Sequence, residues 1–246
     1  MIKFFRHIRK NLMEQNKTGK YLKYAIGEII LVVIGILIAL SINNWNELKK
    51  ERSVELETLK DLKAEIEQNI LVFEDHLNNK RAGKTNIDAY INSLIAGNTK
   101  VEDMIAYYDQ GFGGGTYNPS NGVLNSVINS GNINTLTNKE LKYELTSWED
   151  ILIDYQEEEI ISLNYTFNHI DNFENKLKPK RNIRFSDISD NEYDQMNINL
   201  SKTLSHRNHL LEMQSFLRMT IDEGTALMSK MKHINQLITS EIESHK

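Results

Sequence analysis

Cysteine is absent from the 246 residues, which rules out disulfides and thiolate catalysis. Proline is nearly absent as well, limited to Pro119 and Pro179, and Leu, Ile, Glu and Lys are abundant, so the chain leans toward helix with few interruptions. Acidic residues are scarce at the start of the chain: residues 1–44 hold seven basic and two acidic groups, +5. The remaining 22 basic and 32 acidic groups give −10, and an acidic region of this size is a poor match for nucleic acid. Catalytic motifs are missing too, and no cofactor is implied.

What the chain does have is a long apolar run. Residues 25–42 contain one ionisable group, Glu28, and positions 29–40 are uninterrupted by any charge. The 21 residues spanned between Tyr24 and Trp45 would rise roughly 30 Å as a helix, the thickness of a bilayer's hydrocarbon core. Residues 25–44 are therefore expected to form a single transmembrane helix. Lys3, Arg6, Arg9, Lys10, Lys17, Lys20 and Lys23 precede it against one acid, Glu14, and by the positive-inside rule the N-terminus is cytoplasmic. Tyr21, Tyr24 and Trp45 stand at headgroup level on the two sides. The small residues of Ala39-Leu40-Ser41 suit a signal peptidase, but the long basic region and long apolar run favour an uncleaved signal anchor.

Three features of this region bear on partners. Ile2, Phe5, Ile8 and Leu12 recur at helical spacing among Lys3, Arg6, Arg9 and Lys10, a pattern expected to lie on the anionic inner face of the bilayer. Gly27, Gly35 and Ala39 share one face of the span, a small-residue strip through which two membrane helices can approach and self-associate. Glu28 lies about one turn inside the cytoplasmic edge, where snorkelling toward Lys20, Lys23 or water accounts for it better than a proton relay does.

Beyond the span, Leu59, Leu62, Ile66, Ile70, Phe73 and Leu77 follow three-and-four spacing and predict a long helix starting near Trp45, with Gly83 marking a kink or turn before Ile87, Ile91, Leu94 and Ile95. Thr99 with Glu102 reads as a capping box for a short helix. The glycine-rich residues 110–122 predict a loop, and 123–129 a short helix. Thr137 with Glu140 opens a long helix through Leu141, Leu145, Trp148, Leu152, Tyr155, Leu163, Phe167, Ile170 and Leu177 to Pro179. Ser189 with Glu192 caps a last one through Leu200, Leu204, Leu211, Leu217, Ile221, Met228, Met231, Ile238 and Ile242. The expected fold is all-α: residues 1–24 a basic amphipathic cytoplasmic segment, 25–44 the transmembrane helix, and 45–246 an extracytoplasmic antiparallel bundle of three or four long helices.

One stretch is familiar. Lys20-Tyr21-Leu22-Lys23-Tyr24-Ala25-Ile26-Gly27-Glu28-Ile29, then Val32-Val33-Ile34-Gly35-Ile36-Leu37-Ile38-Ala39-Leu40 and Ile42-Asn43-Asn44-Trp45-Asn46-Glu47, resembles an uncharacterised family of single-span membrane proteins of Bacteroidota, a domain of unknown function. Ser130-Gly131 before the Trp148 helix resembles it more loosely. The resemblance implies an inner-membrane protein with a periplasmic helical region and brings no functional residues with it.

Candidate chemistry is thin. The 111–122 loop lacks the Gly-Lys-Ser/Thr ending and preceding strand of a phosphate loop, but Phe112 and Tyr117 on it are candidates for a ligand or partner contact. His206 and His209, with Glu212 a turn on, provide too few ligands for a metal and read as an exposed pair. Asp154 with Glu157, Glu158 and Glu159 reads as a solvated helix face, and Trp148, Tyr155 and Phe167 as core. These features fit a non-enzymatic membrane-anchored interaction or scaffold module with the bilayer, an unidentified protein and a second copy paired through the span as its contacts; the alternative is a sensor-like bundle that binds a ligand and signals through a partner protein.

Overall fold

The structure, a computed structural model, describes residues 18–99, 101–110, 115–172 and 189–244, and every regular element among them is helical. In chain order these are α1 (Thr18–Ile95), α2 (Val101–Gln110), α3 (Gly122–Asn129), a 3-10 turn (Asn132–Thr135), α4 (Lys139–Thr146), α5 (Trp148–Asn172), α6 (Asp190–Ser201) and α7 (Leu204–Ser244). The chain divides into two compact units, Met1–Glu55 and Leu56–Lys246.

The described part of the first unit is the leading portion of α1. By length and composition α1 holds one apolar window able to cross a membrane. Its Ile29, Leu31, Ile34, Ile38 and Leu40 side chains are exposed. At its end Lys49 Nζ lies 5.6 Å from the Trp45 ring centroid, a cation–π contact, and Asn43 donates to Glu47 at 3.1 Å.

In the second unit, the expected stripe of α1 is the spine of the interior. Leu59, Leu62, Ile66, Phe73 and Leu77 are buried, and Ile70 packs against them. One core cluster joins Leu59, Leu62, Ile66 and Phe73 to Leu141 and Leu145 of α4, Trp148, Leu152 and Tyr155 of α5, and Met231, Ile234 and Ile238 of α7. A second joins Ile87, Tyr90 and Ile91 of α1 to Met104 and Tyr107 of α2 and to Leu210, Met213 and Leu217 of α7.

Several boundaries differ from expectation, each for a physical reason. α1 does not break at Gly83; with no proline present, and Ile87, Tyr90 and Ile91 continuing the buried stripe, the helix runs on to Ile95. It stops where Gly97 takes a left-handed φ of 69°, with Asn98 N donating to Ser93 O and Gly97 N to Leu94 O. The cap of α4 is Asn138, not Thr137: its side chain accepts from Leu141 N at 3.0 Å, and burial of Leu141 sets that register. The single helix expected from there is two, broken at Ser147, yet Leu141, Leu145, Trp148 and Leu152 stay on one buried stripe across the break, so the periodicity conceals it. Likewise α6 and α7 part at Lys202 and Thr203. The Ser189 and Glu192 capping box forms as expected, with Glu192 Oε2 accepting from Ser189 N at 2.9 Å. Phe167, expected in the core, is 61% exposed, and Leu204 and Leu211 are exposed as well.

Gly224 lies at a close approach of α7 to α1 and α5. A Cβ there would stand 2.9 Å from Leu77 Cδ1, 3.2 Å from Tyr155 Cε2 and 3.4 Å from Phe73 Cζ. Gly224→Val is expected to lower stability by about 1–3 kcal/mol through overpacking. Gly224→Ala should be close to neutral, because about 1 kcal/mol of helix propensity offsets a contact made mainly with the flexible end of Leu77. Denaturant or thermal melts of the full chain followed by circular dichroism would show this ordering.

Candidate functional site

The most unusual group in the second unit is a carboxylate that does not belong in an apolar interior. Glu159 of α5 is fully buried at 0% exposure, correcting its reading as part of a solvated acidic face. Its Oε1 accepts from His76 Nε2 at 2.6 Å, from Lys80 Nζ at 3.1 Å and from the Tyr155 hydroxyl at 3.1 Å. Its Oε2 accepts from the backbone N of Tyr117 at 2.7 Å. Burial pushes its carboxyl pKa up, but the hydrogen bond from His76, the Lys80 charge and the Tyr117 amide outweigh that and hold it below 4.5. Lys80, itself buried, also donates to Gly115 O at 3.2 Å.

This carboxylate ties α1, the glycine-rich connection and α5 together, and further bonds fix the same connection. Asn69 of α1 pairs with Ser120 in both directions, donating to its carbonyl at 2.7 Å and accepting from its N–H at 3.0 Å. Tyr117 donates its hydroxyl to Asn69 O at 3.2 Å, and Gln156 donates to Tyr117 O at 2.7 Å. The cap residue of α3, Asn121, makes no side-chain cap bond; instead Glu65 reaches across from α1 and accepts from Val123 N at 2.7 Å and Leu124 N at 3.0 Å. A carboxylate on free N–H groups at a helix start satisfies donors that would otherwise lack partners and complements the helix dipole.

A second polar cluster lies at the other core. His206 and His209, expected to be exposed, are buried; His206 Nε2 is 3.0 Å from the Tyr90 hydroxyl and His209 Nε2 is 2.8 Å from the Tyr107 hydroxyl. The Tyr165 ring stacks on His209 with centroids 5.7 Å apart. Burial raises the phenols of Tyr90 and Tyr107 well above their usual range, so both stay protonated at neutral pH. Glu212 is exposed. Among the described residues no group of three or more His, Asp or Glu side chains is placed to hold a metal ion.

The residues singled out from sequence do not converge on one site. Tyr117 is 2% exposed, its ring 4.5 Å from that of Phe73, so it anchors the connection from inside and offers no surface contact. Phe112 lies outside the described residues, as do Lys3, Arg6, Arg9 and Lys10. Gly35 and Ala39 are exposed and Gly27 is half-buried; a Cβ at Gly27 or Gly35 would meet nothing within 4 Å. The buried ion cluster was missed, although a signal existed. On α5 the apolar stripe passes from Tyr155 to Leu163 with a gap that Glu159 fills, and on α1 it passes from Leu77 to Ile87 with a gap that Lys80 fills.

Chemically this carboxylate is closed: each oxygen already accepts, and its four donors are His76, Lys80, the Tyr155 hydroxyl and the Tyr117 amide. Glu159→Gln is expected to destabilise the chain by about 3 kcal/mol, because it leaves the buried Lys80 charge without its counter-ion; Glu159→Leu combined with Lys80→Met should cost less than Glu159→Leu alone. Since folding lowers the Glu159 pKa, its stabilisation is complete above the unfolded value of 4.5 and is lost as pH falls from there through the folded value. Urea melts at pH 7 and pH 4 check this: the gap between wild type and Glu159→Gln should narrow at the lower pH.

No curated protein and no solved structure matches the chain. A family of unknown function, DUF6090, matches residues 28–160. That interval holds His76, Lys80, Tyr117, Tyr155 and Glu159, and leaves His206 and His209 outside it. With more than half its length matched, the chain belongs to this family of unknown function, DUF6090.

Proposed function

We propose that the chain is a single-span protein of the inner membrane of a Gram-negative bacterium of the Bacteroidota, with a cytoplasmic N-terminus and a periplasmic antiparallel helical bundle that acts as an interaction or scaffold module. The observation that carries this reading is how the second unit uses its interior. The chemistry-bearing groups brought together there bind one another and the backbone, and the cavity bounded by Leu62, Asn69, Trp148 and Ile238 holds about 20 Å³, little more than one water. Such an interior suits a rigid body that presents surfaces.

The antiparallel arrangement is supported by pairings that run in opposite directions along α5 and α7: Glu144 just before α5 with Lys230, Tyr155 with Gly224, and Thr166 with Met213. Membrane insertion is supported by the apolar window of α1, none of which is buried. The start of the chain carries the positive charge that would hold it in the cytoplasm. The sensor reading gains nothing from residues 115–121, which α1 and α5 hold by hydrogen bonds.

The absence of cysteine makes topology directly measurable. Lys10→Cys and Ser240→Cys, each made alone, are expected to differ in whole cells with a permeabilised outer membrane: a membrane-impermeant maleimide labels position 240 and reaches position 10 only after lysis. The opposite pattern would overturn the orientation. Mild crosslinking in the native host, followed by affinity capture of the full chain and of a version starting at Asn46, tests the module itself. A stoichiometric partner held by both is expected; self-association lost with the span would instead assign partner binding to the Gly27, Gly35 and Ala39 face.

A further inference from the structure

α5 carries seven acidic residues in its 25 positions and no lysine or arginine. Glu159 is spent in the interior, but Asp150, Asp154 and Glu157 are exposed. On the same outward side Ile153, Ile160 and Phe167 are 45%, 47% and 61% exposed. They stand seven residues apart, so an α-helix rotates them only about 20° per step and lines them into a stripe roughly 20 Å long. An aliphatic and aromatic stripe of this regularity, left in water beside a row of carboxylates, has the layout of one half of a helix-in-groove contact.

Two observations define the missing half. A second copy of the chain would set Asp150, Asp154 and Glu157 against the same acids, which is repulsive. At the inner edge of the stripe, a groove of about 290 Å³ lies between α5 and α7, lined by Ile151, Asp154, Tyr155, Glu223, Leu227 and Lys230. Glu223 Oε2 is shielded from water there and accepts no hydrogen bond from any described residue, while Lys230 is taken by Glu144. Burial, and then the charges of Glu158 and Asp154, push the Glu223 carboxyl up. Among the described lining residues carboxylate is therefore in excess, Asp154 and Glu223 against Lys230, which Glu144 holds.

Building on the interaction-module reading, we infer that the outward face of α5, with Ile153, Ile160 and Phe167 as anchors and Asp150, Asp154, Glu157 and Glu223 as its charged margin, docks an amphipathic helix of a partner protein whose apolar face is bordered by Lys or Arg. The apolar stripe supplies the contact area, and the acids select a basic partner and reject a second copy.

The test uses the full chain in its native host, with a photo-crosslinking amino acid at position 160 and, as a control, at Leu71, exposed on α1. The expected result is a crosslink from position 160 to one partner, whose attached peptide, sequenced by mass spectrometry, carries basic residues beside apolar ones three and four apart. Asp150→Lys, Asp154→Lys and Glu157→Lys together should cut that yield by about tenfold. Ile153→Ser with Phe167→Ser should lower it as well, with helical content unchanged in both variants. A crosslink to a second copy, a partner peptide without basic residues, or a yield indifferent to charge reversal overturns the inference. A partner recovered with the full chain but crosslinked only from position 71 overturns this surface and leaves the module reading standing; no crosslink from either position and no partner on capture removes both.

Discussion

A carboxylate taken out of water must be compensated on every side, and the second unit is arranged around one such group. An isolated buried charge costs several kcal/mol even after relaxation, so Glu159 can be buried only if its partners arrive with it. Those partners come from three places in the chain: His76 and Lys80 on α1, the Tyr117 amide in the glycine-rich connection, and Tyr155 one turn earlier on α5. Satisfying one side chain thus fixes the register of α5 against α1 and the path of the connection between them. An apolar residue at position 159 would leave both less sharply specified.

The same logic recurs on a smaller scale. A short helix such as α3 starts without a side-chain cap of its own, and its free N–H groups are met by Glu65, 58 and 59 residues earlier in sequence. Asn69, one turn further along α1, holds Ser120 in both directions. Backbone that cannot form a regular element still has to place its polar groups, and here α1 supplies the partners. The polar groups described in this part of the interior therefore bind one another and the backbone.

Much of the helical layout was legible in the residues. The stripe Leu59, Leu62, Ile66, Phe73 and Leu77 is buried as its spacing requires, and the Ser189 and Glu192 capping box forms. Both are local signals, set within one or two turns. The errors share a cause. Phe167 lies on a periodic stripe but no described element covers it, while His206 and His209 look polar in isolation and are buried because Tyr90 and Tyr107 meet them from distant helices. Periodicity shows which residues share a face; it does not show which faces find partners.

The sequence by itself determined the apolar run of α1, the division of charge along the chain, the helical class and the absence of cysteine chemistry, because each depends on composition or on spacing within a few turns. Only the tertiary structure decided that Glu159 and Lys80 lie inside, that Tyr117 is an anchor, and that Ile153 and Ile160 remain uncovered. Those outcomes depend on pairs of residues far apart in the chain, and the cost of burying a charge or a polar group is settled by what stands opposite it when the helices meet.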